Sequence, residues 1–469
     1  MKQEDNIGNA KIQSDHEFKR VLGLPSLVFF GLAFLVPTTI FDMYGVVSNL
    51  THGMFSLTQA ITALAMLFTA YSYGRMASAF PISGSAYTYV QKAMNPYVGF
   101  LTGWTVMMDY LLVPMLSYIF ASNYMAALFP AIPKWVWIIG FTILVTTVSY
   151  IGINVTAWVN NTIVLIQLSI VLIVVFFLIK YISGGGGAGT FFDLNAFVNL
   201  SEIAKPDVGW NVIFVGSSVL VLSYFGFDAV TTVAEEAINP KVNIARAALI
   251  ICGGVGILFV AVSYLMMLAW PTAWSEFTDV NVGSLELFKK IGLGILAVIY
   301  PFFTVIGAIA GPLAGQTSCS RMLYKMGQEK VLPKKFFGYI NPKTATPTNN
   351  ILLIGVVSLS ALFFDLTTAI SLVNFGALFG CFLVNLSVIF HYFVKQKRRK
   401  GVNVLLYLIA PAIGAFAILF FLYKLDVYAK TAGLIWLAIG FIYLALNTKF
   451  FKKLPPELKH DSNEYIEQG

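Results

Sequence analysis

Three aspartates sit where an ionised carboxylate is hardest to keep. Asp42, Asp109 and Asp228 each fall inside an apolar run of about bilayer length. Hydrocarbon solvates charge poorly, so an acid at that depth must face protein or water, and it marks a candidate functional site. Two of the three follow helix-breaking sequence. Val36-Pro37-Thr38-Thr39 leads into Asp42, and Tyr224-Phe225-Gly226-Phe227 leads into Asp228. Proline removes a backbone donor, and irregular backbone at membrane depth survives only where it is buried in protein or lines a cavity. A half-helix restarting after such a break presents free amides and the positive end of its dipole. Asp42 is expected to accept hydrogen bonds from those amides and so supply the anion itself. A substrate carboxylate would then meet like charge, and a protonated amine would meet an attractive partner in a poorly screened site.

Each of these residues also has a structural reading. Asp42 can serve only as a helix cap. Asp228 either binds a second amine or caps the half-helix that follows it. Asp109 holds an amine, carries a coupling proton, or pairs with a hydroxyl such as Tyr44 or Tyr118. Thr38, Thr39 and Tyr110 would orient a ligand by hydrogen bonds, Tyr110 also being a packing candidate. Tyr224, Phe225 and Phe227 flank the second break, where an ammonium could lie against their rings or where they simply pack. Gly226 belongs to the unwound stretch itself. Glu235 and Glu236 end the same span, near Lys241 and Arg246. They read as a solvated charge cluster or as an exit gate for an amine, and neighbouring carboxylates suit proton coupling.

The elements that must position these residues are membrane helices. The chain has 469 residues, of which 58% are hydrophobic and only 11% charged, a composition that excludes a soluble domain. Apolar runs near 24–48, 55–79, 97–128, 134–152, 161–182, 210–233, 247–270, 291–319, 350–365, 367–392, 404–424 and 431–450 predict twelve spans. Met1 to Arg20 lacks the order of basic, apolar and small residues that a cleavable signal has. Lys and Arg crowd alternate loops, most densely Arg321 to Lys343 and Lys395 to Lys400. The positive-inside rule therefore puts both termini in the cytoplasm. The two breaks lie five spans apart, an odd number, so the halves that carry them would be inverted relative to one another. Interrupted helices in inverted repeats point to a site at mid-membrane.

Three further stretches carry a family resemblance. They are Phe80-Pro81-Ile82-Ser83-Gly84-Ser85-Ala86-Tyr87 running on to Asn95-Pro96-Tyr97, then Tyr224-Phe225-Gly226-Phe227-Asp228 with Glu235-Glu236 and Asn239-Pro240, and then Ser320-Arg321-Met322-Leu323-Tyr324 with Val331-Leu332-Pro333 and Asn341-Pro342. Together they resemble the amino acid–polyamine–organocation permeases over nearly the whole chain. Within that family, Pro37-Thr38-Thr39-Ile40-Phe41-Asp42, Asp109-Tyr110-Leu111 and Phe227-Asp228-Ala229-Val230-Thr231-Thr232 are most similar to bacterial putrescine importers.

The resemblance implies an all-α polytopic membrane protein of LeuT type. Its parts would be a tail (1–20), a five-helix repeat (21–205), an inverted five-helix repeat (206–400), two trailing helices (401–452) and a second tail (453–469). It also implies secondary active import of a small organic cation, putrescine or a related polyamine, across a bacterial plasma membrane, driven by a proton or the membrane potential. From the importer resemblance, Glu236 is the favoured residue at the inner gate. One departure matters. Amino acid permeases of the family carry a glycine-rich unwound segment in the first helix, where bare amides take the substrate carboxylate, and here that segment reads Val36-Pro37-Thr38-Thr39. An α-amino acid permease of the same family is the alternative, and a non-transporting membrane sensor is a third possibility.

Other chemistries find no support. His16, His52, His391 and His460 lie in tails or at span ends, and Cys252, Cys319 and Cys381 lack metal-ligand spacing. No nucleotide motif or hydrolytic triad is visible, so neither an enzyme, a cofactor, a metal nor a nucleic-acid partner is expected. Gly184 to Gly187 reads as a flexible linker. The span 161–182 has no lysine until Lys180. Some proton-coupled relatives place a mid-membrane lysine on this fifth helix, and such a residue would repel a cation. Oligomeric state is not readable from the sequence.

Overall fold

The computed structural model describes residues 20–452, apart from 83–84, 153–156, 207, 329–331 and 345. The expected tails therefore lie outside the described residues, save for Arg20. In chain order the helices are α1 (Leu24–Leu35), α2 (Thr39–Leu50), α3 (Phe55–Ala79), α4 (Ser85–Ala93), α5 (Pro96–Leu128), α6 (Lys134–Ile151), α7 (Ala157–Ser183), α8 (Leu200–Ile203), α9 (Asn211–Leu220), α10 (Pro240–Ala269), α11 (Ala273–Glu276), α12 (Gly283–Lys290), α13 (Gly294–Gln328), α14 (Lys334–Phe337), α15 (Thr348–Ser358), α16 (Leu366–Val388), α17 (Val402–Val404), α18 (Ala410–Lys424) and α19 (Val427–Asn447). The described residues form no strand, only a single parallel bridge between Leu22 and Ala237.

Among the described residues, 10 helical stretches are long and apolar enough to cross a bilayer, and α1 with α2, bent by 43° at the break between them, makes an eleventh if the pair is counted as one span. The run expected at 350–365 appears as Thr348–Leu362, which is apolar but short. It stops because Asp365 caps the next helix, accepting from the Thr368 amide at 3.1 Å and the Thr368 hydroxyl at 2.6 Å.

Both expected breaks are present, and each has a local cause. At the first, Val36 adopts φ 55°, an unfavourable conformation for a β-branched residue, and Pro37 offers no amide to continue the helix. The Thr39 hydroxyl turns back onto the carbonyls of Leu35 (3.2 Å) and Val36 (2.6 Å), satisfying groups that the end of α1 would leave bare. At the second, α9 tightens into 3₁₀ turns over Val221–Tyr224. Phe225 is extended, and the chain resumes as a 3₁₀ segment over Ala229–Glu236. Short 3₁₀ stretches often mark hinges.

The two breaks touch. Gly226, at φ 131°, presses against α1 so closely that a Cβ there would lie 2.7 Å from the Gly31 oxygen and the Leu35 nitrogen. Around this crossing α3 runs along α10, while α5 lies between α13 and α16. The site is covered on two sides. On one, the stretch 277–283 and α12 pack on α2, with Phe277 edge-on to Tyr44 at 5.3 Å and Phe288 of α12 edge-on to Phe41 at 5.4 Å. On the other, the amides of Val21 and Leu22 donate to the Glu236 carbonyl at 2.9 and 3.0 Å.

The crossing yields a stability prediction. Gly226→Ala should lower stability by about 2 kcal/mol or more, because the added methyl has only backbone to displace. Gly254→Ala, with open space around it, should change stability by less than about 0.5 kcal/mol. Thermal melting of the purified protein checks the pair; equal effects would contradict the close crossing.

Candidate functional site

Asp42 lies in the first turn of α2. It is partly accessible, although Phe41, Met43 and Tyr44 around it are buried. The expected bonds from helix amides are not the ones it makes. The first amides of α2 turn back instead, Thr39 to the Val36 carbonyl and Phe41 to the Thr38 carbonyl, each at 2.9 Å. Two phenols replace them. The Tyr124 hydroxyl of α5 and the Tyr300 hydroxyl of α13 both donate to Oδ1 of Asp42 at 2.8 Å. Tyr124 also lies 3.0 Å from the Ser284 hydroxyl, and Tyr300 lies 3.2 Å from the Thr38 carbonyl oxygen. Hydrogen bonds to an ionised acceptor are among the stronger ones, about 1.5–3 kcal/mol each.

The two phenol donors sit in a cluster of aromatic rings. Tyr300 is edge-on to Phe41, Tyr124 and Phe288 at 6.1, 5.4 and 5.4 Å. Both phenols use the same oxygen. Oδ2 of Asp42 accepts no hydrogen bond from any described residue, and a carboxylate has about four lone-pair sites to fill. An open carboxylate oxygen has the chemistry to accept a hydrogen bond from an ammonium group.

The other two aspartates lie apart from Asp42 and near one another. Asp228 accepts from the Gly226 amide at 3.1 Å, which stabilises the break, and it remains partly accessible. Asp109, on α5, lies near enough to Asp228 for their charges to interact, and Tyr110 feels both. Gly376 of α16 lets this turn of α5 approach, since a Cβ there would sit 3.5 Å from that of Asp109. Asp109 has no hydrogen-bond partner among the described residues. The hydroxyls proposed for it are elsewhere: Tyr44 packs on Phe55 and Phe277 beneath the covering stretch, and Tyr118 packs on Phe141. Tyr124, which holds Asp42, lies fifteen residues beyond Asp109 on the same helix, roughly 22 Å of rise. The acids thus divide into two groups rather than forming one cluster.

The remaining expected residues take distinct places. Thr38 lends its carbonyl to Tyr300, and Thr39 spends its hydroxyl on the end of α1. Tyr224 is fully buried and its hydroxyl accepts from Gln59 at 2.9 Å, so it anchors the second break to α3. Phe227 is buried edge-on to Tyr73 at 5.4 Å. Glu235 and Glu236 are partly accessible at the end of the 3₁₀ segment, beside the bridge to Leu22. Tyr124, Tyr300 and Ser284 were not foreseen. The only available signal was general: a tyrosine within an apolar span needs a hydroxyl partner.

One absence among the described residues decides the electrostatics. The ion pairs there both involve Glu202, with His52 at 3.3 Å and Lys205 at 2.7 Å. Asp42, Asp109 and Asp228 have no basic partner.

The amino acid permease family model matches residues 27–446. Among curated proteins, the chain is 35% identical to the low-affinity putrescine importer PlaP of Escherichia coli (strain K12), over 94% of this chain and 96% of that protein. It is 26% identical to the methylthioribose transporter of Bacillus subtilis (strain 168), over 90% and 92% of the two chains. It is 24% identical to the branched-chain amino acid permease BcaP of the same organism, over 95% and 96%.

The shared oxygen of Asp42 predicts strong coupling. Tyr300→Phe and Asp42→Asn should each lower stability, and the double variant should lose about 1–3 kcal/mol less than the two single losses combined. A double-mutant cycle read by thermal melting checks this, and simple additivity would break the link.

Proposed function

The chain belongs to the amino acid permease family, and from that premise we propose that it is a secondary active importer of a small organic cation, putrescine or a related polyamine. The observation that carries this reading is the unfilled Oδ2 of Asp42, in a set of interior aspartates with no basic partner among the described residues. An isolated buried charge is costly, and a diamine brings the missing positive charges. One ammonium binds at Asp42, against the rings of Phe41, Tyr124 and Tyr300. Asp109 and Asp228 form the next anionic station, with Tyr110 beside them. Glu235 and Glu236 follow at the end of the 3₁₀ segment, Glu236 acting at the inner gate. The acids make a descending path from the covering stretch toward the N-terminal side.

The architecture that fits this path is the LeuT-type arrangement: 21–205 and 206–400 as inverted five-helix repeats, 401–452 trailing, and Thr348–Leu362 as the short ninth of twelve spans. The packing of α3 on α10 and of α5 on α13 supports it, since these are corresponding helices of the two halves. Both termini lie in the cytoplasm of a bacterial cell, given the Lys and Arg bias of the loops. Alternating access then opens one cover at a time, the 277–283 stretch outside and the Leu22–Ala237 bridge inside. The membrane potential supplies about 2.3 kcal/mol per charge per ~100 mV, so a dication is drawn inward even before a coupled proton contributes. An α-amino acid fits less well, because its carboxylate would meet Asp42 while the Thr39 and Phe41 amides are already bonded.

Uptake of radiolabelled putrescine into proteoliposomes with an inside-negative potential or an inward proton gradient tests the proposal. Saturable uptake is expected, with Asp42→Asn reducing it at least about a hundredfold in folded protein, as for a lost charge partner worth roughly 3 kcal/mol. No putrescine flux, with neutral amino acid flux that survives Asp42→Asn, would overturn the reading.

A further inference from the structure

A second charged constellation lies at the N-terminal face of the membrane, away from the transport path. Arg75, near the end of α3, donates from Nε to the Tyr71 hydroxyl at 2.9 Å. Its guanidinium lies over the rings of Tyr71 at 5.2 Å and Tyr407 at 5.4 Å. Arg398, in the loop between α16 and α17, covers Tyr392 at 5.3 Å and the same Tyr407 at 5.8 Å. Tyr392 and Tyr407 stack flat on one another at 4.4 Å. The Tyr392 hydroxyl donates to the Arg75 carbonyl, and the Tyr71 hydroxyl to the Leu406 carbonyl, both at 3.1 Å.

The backbone is shaped around this stack. The chain runs as π-helix over Ile389–Lys395 and again over Leu405–Ile409, the two stretches that present Tyr392 and Tyr407. π-Helical turns are rare and concentrate at functional sites. Two guanidiniums are thus brought to one tyrosine ring with no carboxylate paired to either among the described residues. Arg75 spends Nε on Tyr71, and Arg398 spends Nη1 on the Tyr407 hydroxyl at 3.4 Å; the remaining in-plane donors of the two guanidiniums are left to grip a phosphate.

We propose that Arg75 and Arg398, spaced by the Tyr392–Tyr407 stack, bind the phosphate of an anionic phospholipid in the leaflet on the N-terminal side. A free phosphate offers the same chemistry, but the surroundings favour a lipid. Phe390, Val394, Val402 and Leu405 are 40, 42, 68 and 54% exposed beside the arginines, an apolar bed for acyl chains. Lys395, Lys397, Arg399 and Lys400 are exposed around them, the juxtamembrane basic cluster that attracts anionic headgroups. The bound headgroup ties α3 to the α16–α17 loop, so it fixes one end of the scaffold that flanks the broken helices.

Native mass spectrometry of the purified full chain, with dioleoylphosphatidylglycerol, dioleoylphosphatidylcholine or inorganic phosphate added, tests the site. Retention of phosphatidylglycerol in preference to phosphatidylcholine is expected, with about tenfold less retained by Arg398→Gln, an exposed position that should fold normally. Arg398→Lys keeps the charge but loses the fork and the stacking, and should retain only part of the wild-type level. Arg75→Gln should act in the same direction. Equal retention of the two lipids, unchanged retention by Arg398→Gln, or saturation by inorganic phosphate that displaces the lipid would each overturn the proposal.

Discussion

A carboxylate inside a membrane protein must be compensated, and the compensation of Asp42 organises this molecule. Its two phenol donors come from α5 and α13, its position comes from the break between α1 and α2, and its enclosure comes from the stretch that leads into α12. Each partner belongs to a different part of the chain, so the bundle must assemble before the acid is satisfied. Even then only one oxygen is used. The phenols hold the carboxylate in place without supplying a positive charge, and on the proposed function that counter-charge is left for a ligand to bring. A lysine or arginine at that place would have completed the pairing and closed the site to cations.

The breaks serve the same end. Gly226 permits the two interrupted helices to cross at backbone distance. The hydroxyl of Thr39 and the carboxylate of Asp228 each satisfy backbone groups that the breaks expose. Polar side chains at membrane depth therefore do two jobs here: some repair the backbone, and some are left open. Thr39 and Asp228 belong to the first kind, Asp42 and Asp109 to the second, and nothing in residue type alone separates them.

That division explains what could be read from the sequence. Membrane helices announce themselves through long apolar runs, and breaks through Pro37 and Gly226, because both signals are local. The match to the amino acid permease family agrees with motifs that are likewise contiguous. The ninth run was harder, since its end depends on Asp365 capping the following helix. Hydrogen-bond partners were not legible. Tyr124 and Tyr300 lie 82 and 258 residues from Asp42, and an isolated tyrosine in an apolar run does not say which acid it will meet. Expecting helix amides as Asp42's donors followed from the N-terminal position of that residue. It failed because the 43° bend lets those amides close onto their own turn.

The most direct test is a structure determined with putrescine bound. An ammonium nitrogen within about 3 Å of Asp42 Oδ2, with Tyr124 and Tyr300 still on Oδ1, is the predicted result. Putrescine bound elsewhere, with the Asp42 carboxylate still held only by its two tyrosines, would contradict the account and leave that residue a structural one.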